Sequence, residues 1–140
     1  IKKCVNCDKN DGITENTLLE CQLLTILKNS NYILRLEKID MQIEEVLIYF
    51  ELCDMDLYDY RFSHIDKYNI INVGKKLCEH ISVGLYTIHK KGFVHLDIKP
   101  NNILVKLNNG NITFVIADFG SCLPYFEGKK YLNIFGILVI

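Results

Sequence analysis

Apolar residues recur along this chain at two spacings, three-to-four and two, and these spacings lay out its elements. After the turn signal Asp11-Gly12, the residues Leu18, Leu19, Leu23, Leu24, Ile26 and Leu27 fall at helical spacing, which predicts a helix over 14–29. Thr17-x-x-Glu20 has the form of a capping box near its start. Residues 33–39 and 46–50 are apolar and β-branched, so they predict two strands joined through 40–44, and with residues 1–5 they make a small antiparallel sheet. From Tyr68 onward Ile70, Val73, Leu77, Ile81, Leu85 and Ile88 step by three and four, and Gly92 follows Lys90 and Lys91 as a C-terminal cap. This is the longest predicted helix. Residues 103–107 and 112–117 are short strands around Asn108-Asn109-Gly110-Asn111, whose members tolerate positive φ, so a hairpin is expected.

Composition narrows the class. The 140 residues are 49% hydrophobic, enough to bury a core, and no repeat or Pro/Gly/Ser-rich linker breaks them up. With 16 Lys plus Arg against 17 Asp plus Glu, the net charge of −1 gives no charge-driven reason to expect a nucleic-acid partner. The terminal apolar run 134–140 is far too short to span a bilayer, so no membrane partner is expected. Cys4, Cys7, Cys21, Cys53, Cys78 and Cys122 are expected as reduced thiols, which places the protein inside the cell, in cytoplasm or nucleus. Cys4-x-x-Cys7 has zinc-knuckle spacing, but no second Cys/His pair matches it and no metal is expected there.

Chemistry-bearing residues concentrate between the long helix and the hairpin. His95, Asp97, Lys99 and Asn102 share one loop, and Asp118 directly follows the second hairpin strand, so a folded hairpin brings it back toward Asn102. Singly, Asp97 reads equally as a turn former, Asn102 as a local backbone partner and Asp118 as a strand-ending residue. Together they form a known pattern. His95-Leu96-Asp97 stands where protein kinases have H-R-D, Lys99-Pro100-x-Asn102 completes a kinase catalytic loop, and Asp118-Phe119-Gly120 matches D-F-G. The chain therefore resembles the catalytic domain of eukaryotic-type protein kinases.

That resemblance implies an α+β, two-lobed fold in partial form. Residues 1–52 would supply part of the smaller lobe, a small antiparallel sheet with one helix. Residues 53–140 would supply the start of a mainly helical lobe carrying the hairpin. It also implies ATP and Mg²⁺ as cofactors and a protein substrate, with Asp97 and Lys99 as catalytic residues and Asn102 and Asp118 as metal ligands. Lys99-Pro100 marks a Ser/Thr-type loop. Lys2 and Glu20 would pair to hold phosphates, the capping box being the other reading of Glu20. The stretch 48–57 resembles the adenine-binding hinge: Phe50 would be the gatekeeper, and the backbones of Glu51 and Cys53 would bond the base. Asp56 would reach ribose or substrate, or else cap a helix at Leu57, and Leu104 would floor the adenine site. Leu24, Leu36, His95 and Phe119 would stack between the lobes, which makes His95 structural.

Two features depart from the pattern. Leu96 replaces the arginine with which regulated kinases bind an activation-segment phosphate, and the block 94–100 is similar to Wee-type inhibitory kinases. Neither a glycine-rich loop before Ile1 nor A-P-E after Tyr131-Leu132 is found, and 133–140 resembles the opening of a later helix. An incomplete domain is expected, inactive by itself. The competing expectation is a non-catalytic nucleotide-binding or scaffold module.

Overall fold

In the computed structural model, which describes residues 2–6, 14–42, 45–63 and 70–128 (2–6 and 45 by backbone alone), the first helix opens one turn before the expected capping box. Strand β1 (Lys2–Asn6) precedes helix α1 (Glu15–Leu27), whose N-cap is Thr14: its Oγ1 accepts the Thr17 N–H at 3.3 Å. Thr17 is thus inside the helix. Glu20, the other end of the anticipated box, is 3% exposed on the face that buries Cys21, Leu23, Leu24 and Leu27. A box carboxylate belongs at the solvated helix start, and burial rules that placement out.

Strands β2 (Leu36–Met41) and β3 (Glu45–Phe50) complete a three-stranded antiparallel sheet in the order β1-β3-β2. Its central strand is covered on both faces, since Val46, Leu47 and Ile48 are all buried. The second strand starts later than the expected residue 33. Ile33 and Leu34 are strapped to the hairpin instead: the Leu34 N–H donates to the Ile116 carbonyl (2.8 Å), and the Ile116 N–H to the Tyr32 carbonyl (2.9 Å). Both apolar side chains go into the core there, which a place on the sheet's edge would not allow.

Beyond residue 50 come β4 (Met55–Asp56), helix α2 (Leu57–Ser63) and the long helix α3 (Ile70–Lys90). The face of α3 that carries Val73, His80, Gly84 and Ile88 packs against the hairpin. Gly84 lies where α3 comes closest: a Cβ there would stand 2.8 Å from Ile116 Cδ1 and 3.0 Å from the Tyr32 carbonyl oxygen. Gly92, with φ +79°, ends the helix in the left-handed conformation that glycine accommodates without strain.

Strand β5 (Phe93–Val94) pairs with β8 (Leu123–Pro124), and β6 (Ile103–Asn108) forms the hairpin with β7 (Asn111–Ile116), β4 adding to its outer edge. The hairpin turn is two residues, Asn109 and Gly110, at φ 47° and 79°. That is the primed geometry whose twist matches paired strands. One core joins α1, β3, the 33–34 strap, Ile88 and residues 115–119; a second, under α2, holds Tyr60, Val73, Val105 and Phe114. Each fully buried side chain such as Ile48 or Phe119 contributes about 1.5–3 kcal/mol. The architecture is α+β: a small antiparallel sheet with one helix, followed by a helical segment carrying a hairpin. The expected helix at 133–140 and the Cys4 and Cys7 thiols lie outside the described residues.

Candidate catalytic site

The loop 95–102 is pinned at both ends before any of its polar groups is free to act. Strand β5 anchors its start, and a 3₁₀ turn (Pro100–Asn102) closes it, with the Asn102 N–H donating to the Lys99 carbonyl at 2.9 Å. His95 is 1% exposed and belongs to the scaffold. Its Nδ1 accepts the Asp97 N–H (3.3 Å), so the proton sits on Nε2, which donates to the Ala117 carbonyl at 3.0 Å. Burial holds this imidazole below its ordinary pKa, and the ring meets Phe119 edge-on with centroids 5.0 Å apart. With both ring nitrogens engaged by backbone, His95 holds the loop in shape.

Asp97 is the focus of the loop. Its Oδ2 receives Lys99 Nζ at 2.7 Å and Asn102 Nδ2 at 2.7 Å, while the same Asn102 nitrogen also donates to the Asp97 carbonyl at 2.9 Å. Both donors use one carboxylate oxygen, leaving Oδ1 for another proton. Asn102 spends only its nitrogen, and its Oδ1 has no partner among the described residues. The Asn102 carbonyl takes the Ala117 N–H at 2.8 Å, which ties the loop to the residue preceding Asp118. Asp118 itself is exposed and has φ 60°, a conformation uncommon for a non-glycine residue. Leu96, at φ 67°, is the second such residue in the site. Backbone held in sparsely populated regions concentrates at functional sites, where the surroundings enforce it.

Glu20 reaches this region from the other half of the molecule. The thiol of Cys122, 1% exposed, is pushed up to about 12, first by burial and then by the charges of Asp118 and Glu20. Lys2 lies on β1 opposite Tyr49, with its side chain outside the described residues.

The segment after β3 presents unsatisfied backbone. The Glu51 N–H donates to the Arg35 carbonyl (3.0 Å) and the Asp54 N–H to the Val105 carbonyl (2.9 Å), but the Glu51 carbonyl and the Cys53 N–H have no partner among the described residues. Cys53 is only 8% exposed, so an unpaired N–H there is costly unless a ligand meets it. Leu104 packs at the edge of the core, its backbone opposite Asp56. Asp56 caps α2, its Oδ1 accepting the Asp59 N–H at 2.8 Å, and its Oδ2 accepts Asn101 Nδ2 at 3.2 Å. Sequence reasoning misses that link to Asn101, since nothing local connects residues 45 positions apart.

Comparison with known proteins agrees with the motifs. The family model "Protein kinase domain" matches residues 1–137. Cyclin-dependent kinase E-1 of Arabidopsis thaliana is 30% identical over 146 residues, covering 99% of this chain and 31% of the relative. CTD kinase subunit alpha of Schizosaccharomyces pombe is 35% identical over 115 residues (80% and 18%), and mitogen-activated protein kinase 5 of Oryza sativa subsp. japonica is 34% identical over 135 residues (91% and 34%). The chain spans about a third or less of the length of these relatives.

Proposed function

Because this chain belongs to the protein kinase domain family, we propose that the protein transfers the γ-phosphoryl group of ATP to a Ser or Thr hydroxyl of a protein substrate. The observation that carries this reading is the Asp97 carboxylate, clamped through one oxygen by Lys99 and Asn102, with its other oxygen unpartnered among the described residues. The free oxygen accepts and orients the proton of the incoming hydroxyl. Lys99, held at 2.7 Å from that carboxylate, faces the transferred group and offsets the negative charge that spreads over its oxygens.

The donor set suits a hard cation: an amide oxygen on Asn102 and an exposed carboxylate on Asp118, with no cluster of three His, Cys, Asp or Glu side chains among the described residues. Such a set leaves room for phosphate and water oxygens, as Mg²⁺ prefers. When bound, Mg²⁺ neutralises charge on the phosphates. ATP fits through its base, which would receive the Cys53 N–H and donate to the Glu51 carbonyl above Leu104. Asp56 would reach the ribose from its place at the start of α2, and Lys2 with Glu20 would steady the phosphates. Residues up to 52 would then form part of the smaller lobe, and those from 53 part of the larger.

Free thiols at Cys21, Cys53, Cys78 and Cys122 accord with a cytoplasmic or nuclear place. A Wee-like regulatory part in the cell cycle is the finer reading, and Leu96 in place of arginine favours it. The test is the full-length protein with γ-labelled ATP and a Ser/Thr peptide library. Asp97→Asn should lower transfer by about 10²–10⁴-fold at unchanged melting temperature. Absence of transfer by the wild type, with Mg-ATP still bound, would instead establish a non-catalytic nucleotide-binding module.

A further inference from the structure

A cavity of about 580 Å³ opens behind the 51–54 segment, between the 28–32 loop, the side of α3 and the outer face of the hairpin. Of the residues proposed above to act in catalysis or nucleotide binding, Glu51 alone lines it, and its carboxylate accepts from Lys106, another lining residue. Four cations border the cavity: Lys28, Arg35, Lys76 and Lys106. Two are already matched. Lys106 Nζ meets Glu51 at 3.1 Å, and Arg35 Nε donates to Glu37 at 2.9 Å. Lys28 and Lys76 have no acidic partner among the described residues.

The floor supplies a second, independent observation. His80 is 8% exposed and stacks on Tyr32 with centroids 4.4 Å apart. Its Nδ1 accepts the Phe114 N–H at 3.1 Å, so the ring carries its proton on Nε2, and that donor has no acceptor among the described residues. A buried N–H left without a partner costs about 1–3 kcal/mol unless a ligand meets it. The walls add amides and hydroxyls from Asn29, Ser30, Asn31, Asn111 and Thr113.

We propose that this cavity is a docking site for an acidic peptide segment of a partner protein. Lys28 and Lys76 would receive carboxylates at the rim, the unpaired His80 N–H would receive one oxygen on the floor, and the amide-bearing walls would pair with peptide N–H and C=O groups. The volume lies within the range of binding pockets for drug-sized molecules and far exceeds a single inorganic anion, while the polar lining suits neither an acyl chain nor an aromatic ligand. Paired charges of opposite sign on rim and ligand govern association rate and selectivity.

The test uses full-length protein and a fluorescein-labelled octaglutamate, followed by fluorescence anisotropy at 50 and 200 mM NaCl. Octaglutamate should bind, more weakly at the higher salt, and octalysine should not. The double reversal Lys28→Glu with Lys76→Glu should weaken octaglutamate about tenfold or more, since each swap turns a rim attraction into repulsion. Reversing Lys90 and Lys91, away from the cavity, should leave binding as it was. Undiminished binding by the Lys28/Lys76 variant, or preference for octalysine, would overturn the proposal. Binding of orthophosphate without any binding of octaglutamate would mark a small-anion site and overturn the peptide assignment equally.

Discussion

Asn102 makes two hydrogen bonds to Asp97 with a single nitrogen, and that economy leaves its oxygen available for a ligand. A similar division occurs in His95: one ring nitrogen takes the Asp97 N–H and the other holds the Ala117 carbonyl, so the imidazole joins the 95–102 loop to the strand that leads to Asp118. The arrangement requires a neutral ring. Its folded pKa lies below the unfolded value, so the unfolded chain binds more protons as pH falls through about 6.5. The stability this group contributes is complete above that point and declines below it, down to the folded pKa. His95→Phe, which keeps the edge-on packing without a titrating group, should therefore lose less melting temperature than wild type between pH 7.5 and pH 5.5. Parallel losses in both proteins would sink the assignment.

At the scale of elements, close approach decides what sequence patterns leave open. Helix α3 touches the hairpin at Gly84, where any side chain would collide with Ile116 and with the backbone of Tyr32. Neither neighbour is a flexible tip over open space: Ile116 is fully buried and the Tyr32 carbonyl is engaged by a strand N–H. Gly84→Val should destabilise by about 1–3 kcal/mol, measured by chemical denaturation of the full-length protein. Gly74, on the same helix with nothing within 4 Å of where a Cβ would stand, should accept Ala with no loss, because a helix-interior glycine costs about 0.5–1 kcal/mol relative to alanine. Equal effects at the two glycines would refute the packing account. The start of α1 follows the same logic, since Thr14 and Thr17 both carry capping oxygens and only burial of Glu20 selects the earlier one.

Across the whole molecule, one core runs from α1 through β3 and the 33–34 strap to residues 115–119, so the sheet half and the hairpin half are not packed separately. The groups proposed to face the nucleotide are distributed over that joint: Glu51 and Cys53 after β3, Leu104 on β6, Asn102 and Asp118 at the hairpin's ends. A ligand touching all of them should stabilise the fold as a unit. Mg-ATP at 100 times its Kd should raise the stability of the full-length protein by about 2.7 kcal/mol, and Asp118→Asn should remove the magnesium-dependent part of that gain. No Mg-dependent shift in a thermal melt would count against the assigned ligands. The order of the longer elements β1, α1, β2, β3, α3, β6 and β7, a hairpin turn within 108–111, and the constellation of Asp97, Lys99, Asn102 and Asp118 are legible in the sequence, whereas the short pieces β4, β5 and β8 are not. Local spacing and turn chemistry carry that information. Only the tertiary structure shows that Ile33 and Leu34 leave the sheet for the hairpin, that Asp56 caps α2 while holding Asn101, and that a basic cavity beside the 51–54 segment is lined by His80, whose Nε2–H has no acceptor among the described residues. Each of these depends on contacts between residues far apart in the chain, where burial and unpaired polar groups, rather than periodicity, settle the outcome.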